Sequence, residues 1–195
     1  MLVGQRLSSA GLGLTLVLGL GVSVSAQDSD SWMRVDTVRI RPDKLDDFVE
    51  LYQDVIIDHN KNPRNFGRPE TCDHEAKGNN PLCGDKVTVY VTVADDVIEN
   101  AQFEARGCAI SVASASMMTE LVKGKPLAEA RAIFEDFHQI VTRKKDVAPD
   151  DLERLDKLAA LTGVREFPMR VKCATLPWHT MTAALDQSED EVTTE

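Results

Sequence analysis

The apolar residues of this chain change from helical spacing to strand-like alternation and back again. From Leu45 to Asn60 they recur at three- and four-residue steps, which predicts an amphipathic helix. Residues 62–67 contain Pro and Gly and end it. Residues 86–93 then alternate apolar and polar types and are rich in β-branched side chains, and residues 97–106 continue the alternation. Because only three residues separate these two runs, we expect an antiparallel hairpin with a slip in its second strand.

Helical spacing returns after the hairpin. It predicts three helices, at residues 109–123, 126–142 and 150–161, the last of them preceded by Pro149. Residues 171–175 are typical of a strand, and a final helix is predicted to begin at Pro177. Residues 68–82 are predicted to form a loop that contains at most a short edge strand. This order of elements predicts an α+β fold, in which helices pack on one face of a small antiparallel sheet.

Composition and charge narrow the range of functions. The chain has 195 residues, of which 43% are hydrophobic and 28% charged, as is typical of a globular protein with one domain. Its net charge of −10 argues against nucleic-acid binding, which needs a basic surface. We expect the domain to cover residues 45–186, between an N-terminal extension at residues 1–44 and an acidic, disordered tail at residues 187–195.

The N-terminal extension carries conflicting signals. Residues 1–26 combine Arg6, an apolar run and a small-residue cleavage motif, which is the pattern of a secretory signal peptide. The apolar run is too short to span a bilayer well. The alternative is that translation begins at Met33, so that the preceding residues do not belong to the native protein.

Three cysteines lie where predicted elements begin or end. Cys83 precedes the first hairpin strand and Cys108 follows the second, so the hairpin brings them together although they are 25 positions apart. Asp85 places an oxygen ligand near the same point, and Cys108 begins a helix, whose dipole favours negative charge there. Cys173 precedes the predicted final helix. Three thiols and one carboxylate suit a tetrahedral Zn²⁺ site or the rim of an iron–sulfur cluster.

The spacing of the cysteines leaves other interpretations open. The chain has no Cys-x-x-Cys pair, so buried structural cysteines are an alternative of equal weight. In an exported protein the four cysteines would instead form disulfides. Cys72 lies outside the three positions, and we expect it to take no part in the site. We also do not expect His59, His74 or His179 to be metal ligands.

Local sequence around these cysteines is more specific than their spacing. The segments NPLCGD around Cys83, GCAISVASASMM around Cys108 and RVKCATLPWHT around Cys173 resemble the three signatures of the U-type iron–sulfur scaffold family, which comprises the NifU N-terminal domain, IscU and SufU. The resemblance covers residues 45–185, including the helix and turn LYQDVIIDHNKNPRNFG. It is closest to the SufU branch, because Lys172 stands where IscU proteins carry histidine and residues 146–166 match a SufU-like insertion.

The resemblance implies a SufE/NifU-like fold and a specific set of ligands. The implied Zn²⁺ ligands are Cys83, Asp85, Cys108 and Cys173. The implied function is that of a sulfur acceptor for a SufS-type cysteine desulfurase, in which Cys83 attacks the persulfide of that enzyme. The alternative is a scaffold that assembles a transient [2Fe–2S] or [4Fe–4S] cluster and transfers it to apo iron–sulfur proteins.

Both functions need a reducing compartment, so we expect the protein to be cytoplasmic despite its signal-like N-terminus. The sequence leaves open whether the chain is an enzyme, namely a zinc-dependent sulfurtransferase that works with the desulfurase. The oligomeric state is also left open.

Overall fold

The structure, a computed structural model, describes residues 16–18, 22–24, 33–35, 38–40, 45–146, 148–188 and 190–194. The chain divides into two units, Met1–Phe48 and Val49–Glu195. The first unit contains two antiparallel strand pairs, which are β1 (Leu16–Leu18) with β2 (Val22–Val24), and β3 (Met33–Val35) with β4 (Val38–Ile40). Most of the signal-like segment predicted at residues 1–26 lies outside the described residues.

A four-stranded mixed sheet forms the centre of the second unit. Its strands are β5 (His74–Asn80), β6 (Asp85–Ala94), β7 (Val97–Arg106) and β8 (Val192–Thr193), in the order β7-β6-β5-β8. The predicted hairpin of β6 and β7 is confirmed, and the predicted slip lies at the register shift after Thr92. The first three strands are antiparallel, but β8 runs parallel to β5. The sheet is therefore mixed, and two residues of the tail that we expected to be disordered form a strand.

Strand β5 was predicted as a loop because its sequence, HEAKGNN, is almost entirely polar. Its buried positions are filled by Ala76, Gly78 and Asn80, so the apolar alternation that normally marks a strand is weak. Gly78 is required by packing, since a Cβ atom there would lie 2.1 Å from Oγ1 of Thr180. A small residue at this position thus lets a helix lie directly on the sheet.

Helices surround this sheet in an α+β arrangement. They are α1 (Leu45–Lys61), α2 (Ala109–Val122), α3 (Leu127–Val141), α4 (Pro149–Leu155), a 3-10 helix (Asp156–Glu166) and α5 (Pro168–Leu185). The helix that was predicted to reach residue 161 becomes a 3-10 helix at Asp156. This residue has a left-handed backbone with φ of 48°, which an α-helix cannot continue. Among the described residues, no helix is both long and apolar enough to cross a membrane.

The strand predicted at residues 171–175 is wrong, because this segment is part of α5. The helix begins at Pro168, where a missing backbone N–H costs nothing. Pro177 lies inside the helix rather than at its start, although proline removes an internal hydrogen bond there. Burial of Leu176, Trp178 and Met181 in the core compensates for that loss and holds the segment helical.

The core lies between one face of the sheet and helices α2 and α5. In β6 the alternate residues Val87, Val89 and Val91 are buried beneath these helices. Helix α2 is rich in small residues, and the hydroxyl of Ser114 donates a 2.6 Å hydrogen bond to the carbonyl oxygen of Ala174 in α5. The two helices therefore pack closely, which places the start of α2 and the first turns of α5 at the same end of the sheet.

Candidate metal centre

Cys83 lies in the four-residue turn at 81–84, which joins β5 to β6. The amide of Gly84 donates a 2.8 Å hydrogen bond to the carbonyl oxygen of Asn80 and closes the turn. Gly84 has φ of +70°, a conformation that strongly favours glycine. Cys83 is half-buried and the preceding Leu82 is 55% exposed, so this turn is open to an approaching molecule.

Asp85 is the first residue of β6 and is completely buried. Its Oδ1 atom accepts a 2.7 Å hydrogen bond from the backbone amide of Cys108, the residue that caps α2. Gly107 makes room for this carboxylate, since a Cβ atom there would lie 2.5 Å from Oδ1. The other carboxylate oxygen, Oδ2, lies 3.8 Å from Sγ of Cys108. The open end of the hairpin thus joins the carboxylate of one strand to the thiol that follows the next.

Cys173 approaches the same point from α5. Its Sγ atom lies 3.2 Å from Sγ of Cys83 and 3.4 Å from the carbonyl oxygen of Met169. The side chain is completely buried. Burial raises the pKa of the Cys173 thiol, and hydrogen bonds to Cys83 and Asp85 raise it further. Without a cation this thiol therefore stays protonated at neutral pH.

The structure brings the four predicted residues to one end of the sheet. The ligand atoms of Cys83, Asp85 and Cys173 all lie within 4.8 Å of one another, and Cys108 joins them through its contacts with Asp85. Ligands of a tetrahedral zinc ion with Zn–S bonds of about 2.3 Å are about 3.8 Å apart. Cys83, Asp85 and Cys173 thus fit this metal in spacing and donor type, and Cys108 adds a third thiol beside Asp85.

A sequence model of the family described as "NifU-like N terminal domain" matches residues 51–174. The chain belongs to this family. The match covers the turn with Cys83, the buried Asp85, the start of α2 and the first turns of α5, so it contains the whole group of four side chains.

Relatives of this NifU-like chain are named either as a sulfurtransferase or as a cluster assembly scaffold protein. The chain is 41% identical to the zinc-dependent sulfurtransferase SufU of Bacillus subtilis over 71% of its own length and 92% of that protein. It is 38% identical to the iron–sulfur cluster assembly scaffold protein IscU of Streptococcus pyogenes, over 71% of its length and 84% of the relative.

Solved structures agree with this assignment. A putative iron–sulfur cluster assembly scaffold protein for the SUF system from Fervidobacterium islandicum superposes with a TM-score of 0.64 at 34% identity, covering 70% of this chain and 97% of that one. The N-terminal part of a NifU-like protein from Brucella abortus gives the same TM-score at 25% identity, covering 73% and 96%. The α+β fold is therefore that of the NifU-like family.

Asn80 is a residue of this NifU-like site that sequence analysis did not select. It is completely buried, and its Nδ2 atom donates a hydrogen bond to Sγ of Cys173 at 3.6 Å. Its Oδ1 atom accepts a 3.2 Å hydrogen bond from the amide of Leu82. One amide side chain thus connects the turn that carries Cys83 to the thiol of Cys173. No signal in the sequence identified Asn80, because its strand was predicted as a loop and its burial appears only in the folded chain.

Arg170 and Lys172, which flank Cys173, lie on a helix and not on a strand edge as predicted. The guanidinium group of Arg170 lies beside the thiol of Cys173. The hydrogen bond to Cys173 raises the pKa of this guanidinium group, and electrostatic interaction with the neighbouring cysteines adds to this shift. Lys172 instead lines a cavity between α3, the 3-10 helix and α5.

The histidines and Cys72 lie outside the group of four. His59 is buried and its Nδ1 atom is 2.8 Å from the hydroxyl of Ser116, so it packs against α2. His74 begins β5, at the strand end opposite Asn80. Cys72 precedes that strand and is a free, half-buried thiol.

Proposed function

We propose that the protein is a zinc-dependent sulfur acceptor that receives persulfide sulfur from a SufS-type cysteine desulfurase. The observation that carries the proposal is the convergence of Cys83, Asp85 and Cys173 within 4.8 Å, with Cys83 alone partly exposed. In this arrangement Cys83 accepts the sulfur, while Asp85, Cys108 and Cys173 retain the metal. The proposed metal ligands are thus Cys83, Asp85, Cys108 and Cys173.

Accessibility supports the assignment of Cys83 as the reacting thiol. Asp85 and Cys173 are completely buried, and Cys108 is half-buried, as Cys83 is. Cys83 differs from Cys108 because it lies on an open turn beside exposed Leu82. Phe167 and Met169, at the start of α5, are also exposed, at 62% and 46%. These apolar side chains favour the close approach of another protein, because burial of exposed apolar surface stabilises an interface.

Bound zinc keeps its thiolate ligands deprotonated near neutral pH. The protein side chains fix the geometry around it. Asp85 is oriented by the amide of Cys108, and Cys173 by the side-chain amide of Asn80. The guanidinium of Arg170 offsets negative charge that accumulates on the thiolates.

The proposed transfer is a thiol exchange without net oxidation. The thiolate sulfur of Cys83 forms a bond to the outer sulfur of the desulfurase persulfide. The sulfur–sulfur bond of that persulfide breaks, and its electron pair leaves with the desulfurase cysteine as a thiolate. One thiolate is consumed and one is formed, and Cys83 carries the new persulfide. The desulfurase, a pyridoxal-phosphate enzyme, supplies the sulfur, so the protein acts as a sulfurtransferase only together with that partner in a reducing, cytoplasmic environment.

Metal analysis and desulfurase turnover, measured on one preparation, test the proposal. We expect about one zinc per chain and strong stimulation of a SufS-type desulfurase. Cys83→Ala should abolish the stimulation, and Cys72→Ala should retain it, because Cys72 is a half-buried free thiol outside the site. Unchanged turnover in the presence of the zinc-loaded wild-type protein would refute the proposal.

A second candidate function is supported by the names of the IscU relatives and by the same four ligands. In this function the chain is a scaffold for a labile [2Fe–2S] or [4Fe–4S] cluster, and Asp85 weakens cluster retention because iron–sulfide prefers thiolate ligands. Anaerobic reconstitution with iron and sulfide, followed by transfer to an apo-ferredoxin, tests it. Visible absorption of a cluster that passes to the ferredoxin supports the scaffold, and the lack of cluster absorption rules it out.

A further inference from the structure

A cavity lies where the end of α3, the end of the 3-10 helix and one face of α5 meet. It has a volume of about 730 Å³, and residues 192–194 of the tail form part of its wall. Helix α5 contributes Lys172, Thr175 and His179 to it, whereas Cys173 projects toward the metal centre. The cavity is therefore distinct from the group of four metal-binding side chains.

Arg165, the penultimate residue of the 3-10 helix, is the unusual side chain in this cavity. Only 11% of its side chain is exposed. Its Nε and Nη1 atoms are buried and have no hydrogen-bond partner among the described residues. The nearest carboxylate oxygen, Oε1 of Glu166, is 3.9 Å from Nε and thus beyond hydrogen-bond distance. A buried charged donor that lacks a partner is costly, so this guanidinium is suited to an anionic ligand.

The neighbouring side chains hold Arg165 in place but give its guanidinium only one long ion pair, at 3.9 Å to Glu166, and no hydrogen bond from Nε or Nη1. Arg143 forms the ion pair with Glu166 and donates a 3.1 Å hydrogen bond from Nε to the backbone carbonyl of Arg165. The one carboxylate in the cavity wall is therefore already occupied by another arginine. Lys172 adds a further positive charge. Among the described residues, the wall carries three cationic side chains and one anionic side chain, in a chain whose net charge is −10.

Two histidines complete the polar part of the wall. The rings of His138 and His179 are 5.5 Å apart and nearly perpendicular. Phe134 contacts both rings, edge-on to His179 at 4.8 Å, which fixes their orientation. Val141, Pro168 and Val171 line the remainder, so the wall combines fixed polar groups with apolar surface. This composition is typical of sites for small organic ligands.

We propose that this cavity binds a small organic molecule through a phosphate or carboxylate group, and that Arg165 is its principal anchor. The planar guanidinium of arginine donates paired hydrogen bonds to either group. The volume lies within the usual range for small-molecule sites, and the tail strand forms part of the wall, which favours a small molecule over a macromolecular surface. The proposal does not depend on the metal-centre function.

Calorimetric titration of the zinc-loaded full chain with inorganic phosphate and, separately, with succinate tests this inference. In chloride buffer we expect saturable binding of at least one of the two anions, and the anion that binds identifies the ligand group. Arg165→Gln should weaken binding by about tenfold or more, since hydrogen bonds to charged groups contribute on that scale. The matched control is Arg68→Gln, which removes an arginine that is 61% exposed and lies outside the cavity, and it should leave affinity unchanged.

Nuclear magnetic resonance locates the binding. The chain has four histidines, so their ring signals are readily separated. The anion should shift the ring signals of His138 and His179 and leave those of His59 and His74 unchanged.

Folding of the variants is checked by circular dichroism. If Arg165→Gln does not fold, Arg165→Lys tests the proposal instead, because lysine keeps the positive charge but lacks the planar pair of hydrogen-bond donors. Its affinity should fall below that of the wild type. Absence of saturable binding by the wild type, or undiminished affinity in the folded Arg165 variant, would overturn the proposal.

Discussion

Gly107→Ala is expected to damage the proposed metal centre although it replaces none of the four proposed ligands. The new Cβ atom would lie 2.5 Å from Oδ1 and 2.9 Å from Cγ of Asp85, which is closer than real Cβ contacts allow. Asp85 is completely buried, and pairing with Asn80 holds its backbone at the start of β6. The side-chain carboxylate of Asp85, and not the strand, must therefore move. The movement breaks its 2.7 Å hydrogen bond with the amide of Cys108.

The size of the effect follows from that hydrogen bond. A hydrogen bond to a charged group contributes about 1.5–3 kcal/mol, and its loss corresponds to a decrease in zinc affinity of about 10- to 150-fold. Competition with a chromophoric zinc chelator at pH 7 measures the affinity. The matched control is Gly163→Ala, because a Cβ atom at Gly163 meets no heavy atom within 4 Å. This variant should bind zinc as the wild type does.

A double-mutant cycle shows whether Gly107 acts through Asp85. In an Asp85→Ala background the carboxylate is absent, so adding Gly107→Ala should lower zinc affinity no further. If Gly107→Ala alone binds zinc within about twofold of the wild type, or if the two substitutions have additive effects, the carboxylate is not held in the way described.

Three further predictions follow from residues around and away from the centre. Asn80→Ala removes the hydrogen bonds that link the Cys83 turn to Cys173. Cys83 should therefore react faster with iodoacetamide in the zinc-loaded protein, and an unchanged reaction rate would contradict the link. Gly78→Ala forces a Cβ atom against Thr180 and should lower the free energy of unfolding in urea by about 1–3 kcal/mol, and Thr180→Ala in the same chain should recover part of that loss. Burial lowers the pKa of His138 in the folded state, so stability of the metal-free protein should decrease as pH falls below the unfolded value of about 6.5. His138→Gln should reduce the slope of stability against pH, and an equal slope contradicts this prediction.

The local alternation of apolar and polar residues predicted the part of the site that the β6–β7 hairpin forms. Alternation located β6 and β7, and antiparallel pairing then required Asp85 and the start of α2 to meet. The spacing of the cysteines along the sequence did not predict that Cys173 belongs to the site. Its position in the site was implied only by family resemblance, because a contact between residues 90 positions apart depends on the packing of a whole helix on the sheet.

The features that sequence analysis missed share a physical cause. In β5 the side chains that face the helices are small or polar, so tertiary packing rather than an apolar pattern stabilises the strand. In α5 the same kind of packing overrides an internal proline, which normally indicates a helix start. Asn80 and Arg165 act through contacts that only the folded chain creates.

The contact between Cys83 and Cys173 closes a loop of 90 residues. A cross-link of that length that persists in the unfolded chain would lower its conformational entropy by an amount equivalent to about 4–5 kcal/mol at room temperature. In the proposed centre, Asp85 would close a loop to Cys173 that is only two residues shorter. When Cys83 leaves to accept sulfur, the remaining ligands therefore keep almost the whole cross-link. In the proposed function, the domain would thus expose its reacting thiol in each cycle while the other ligands keep the loop closed.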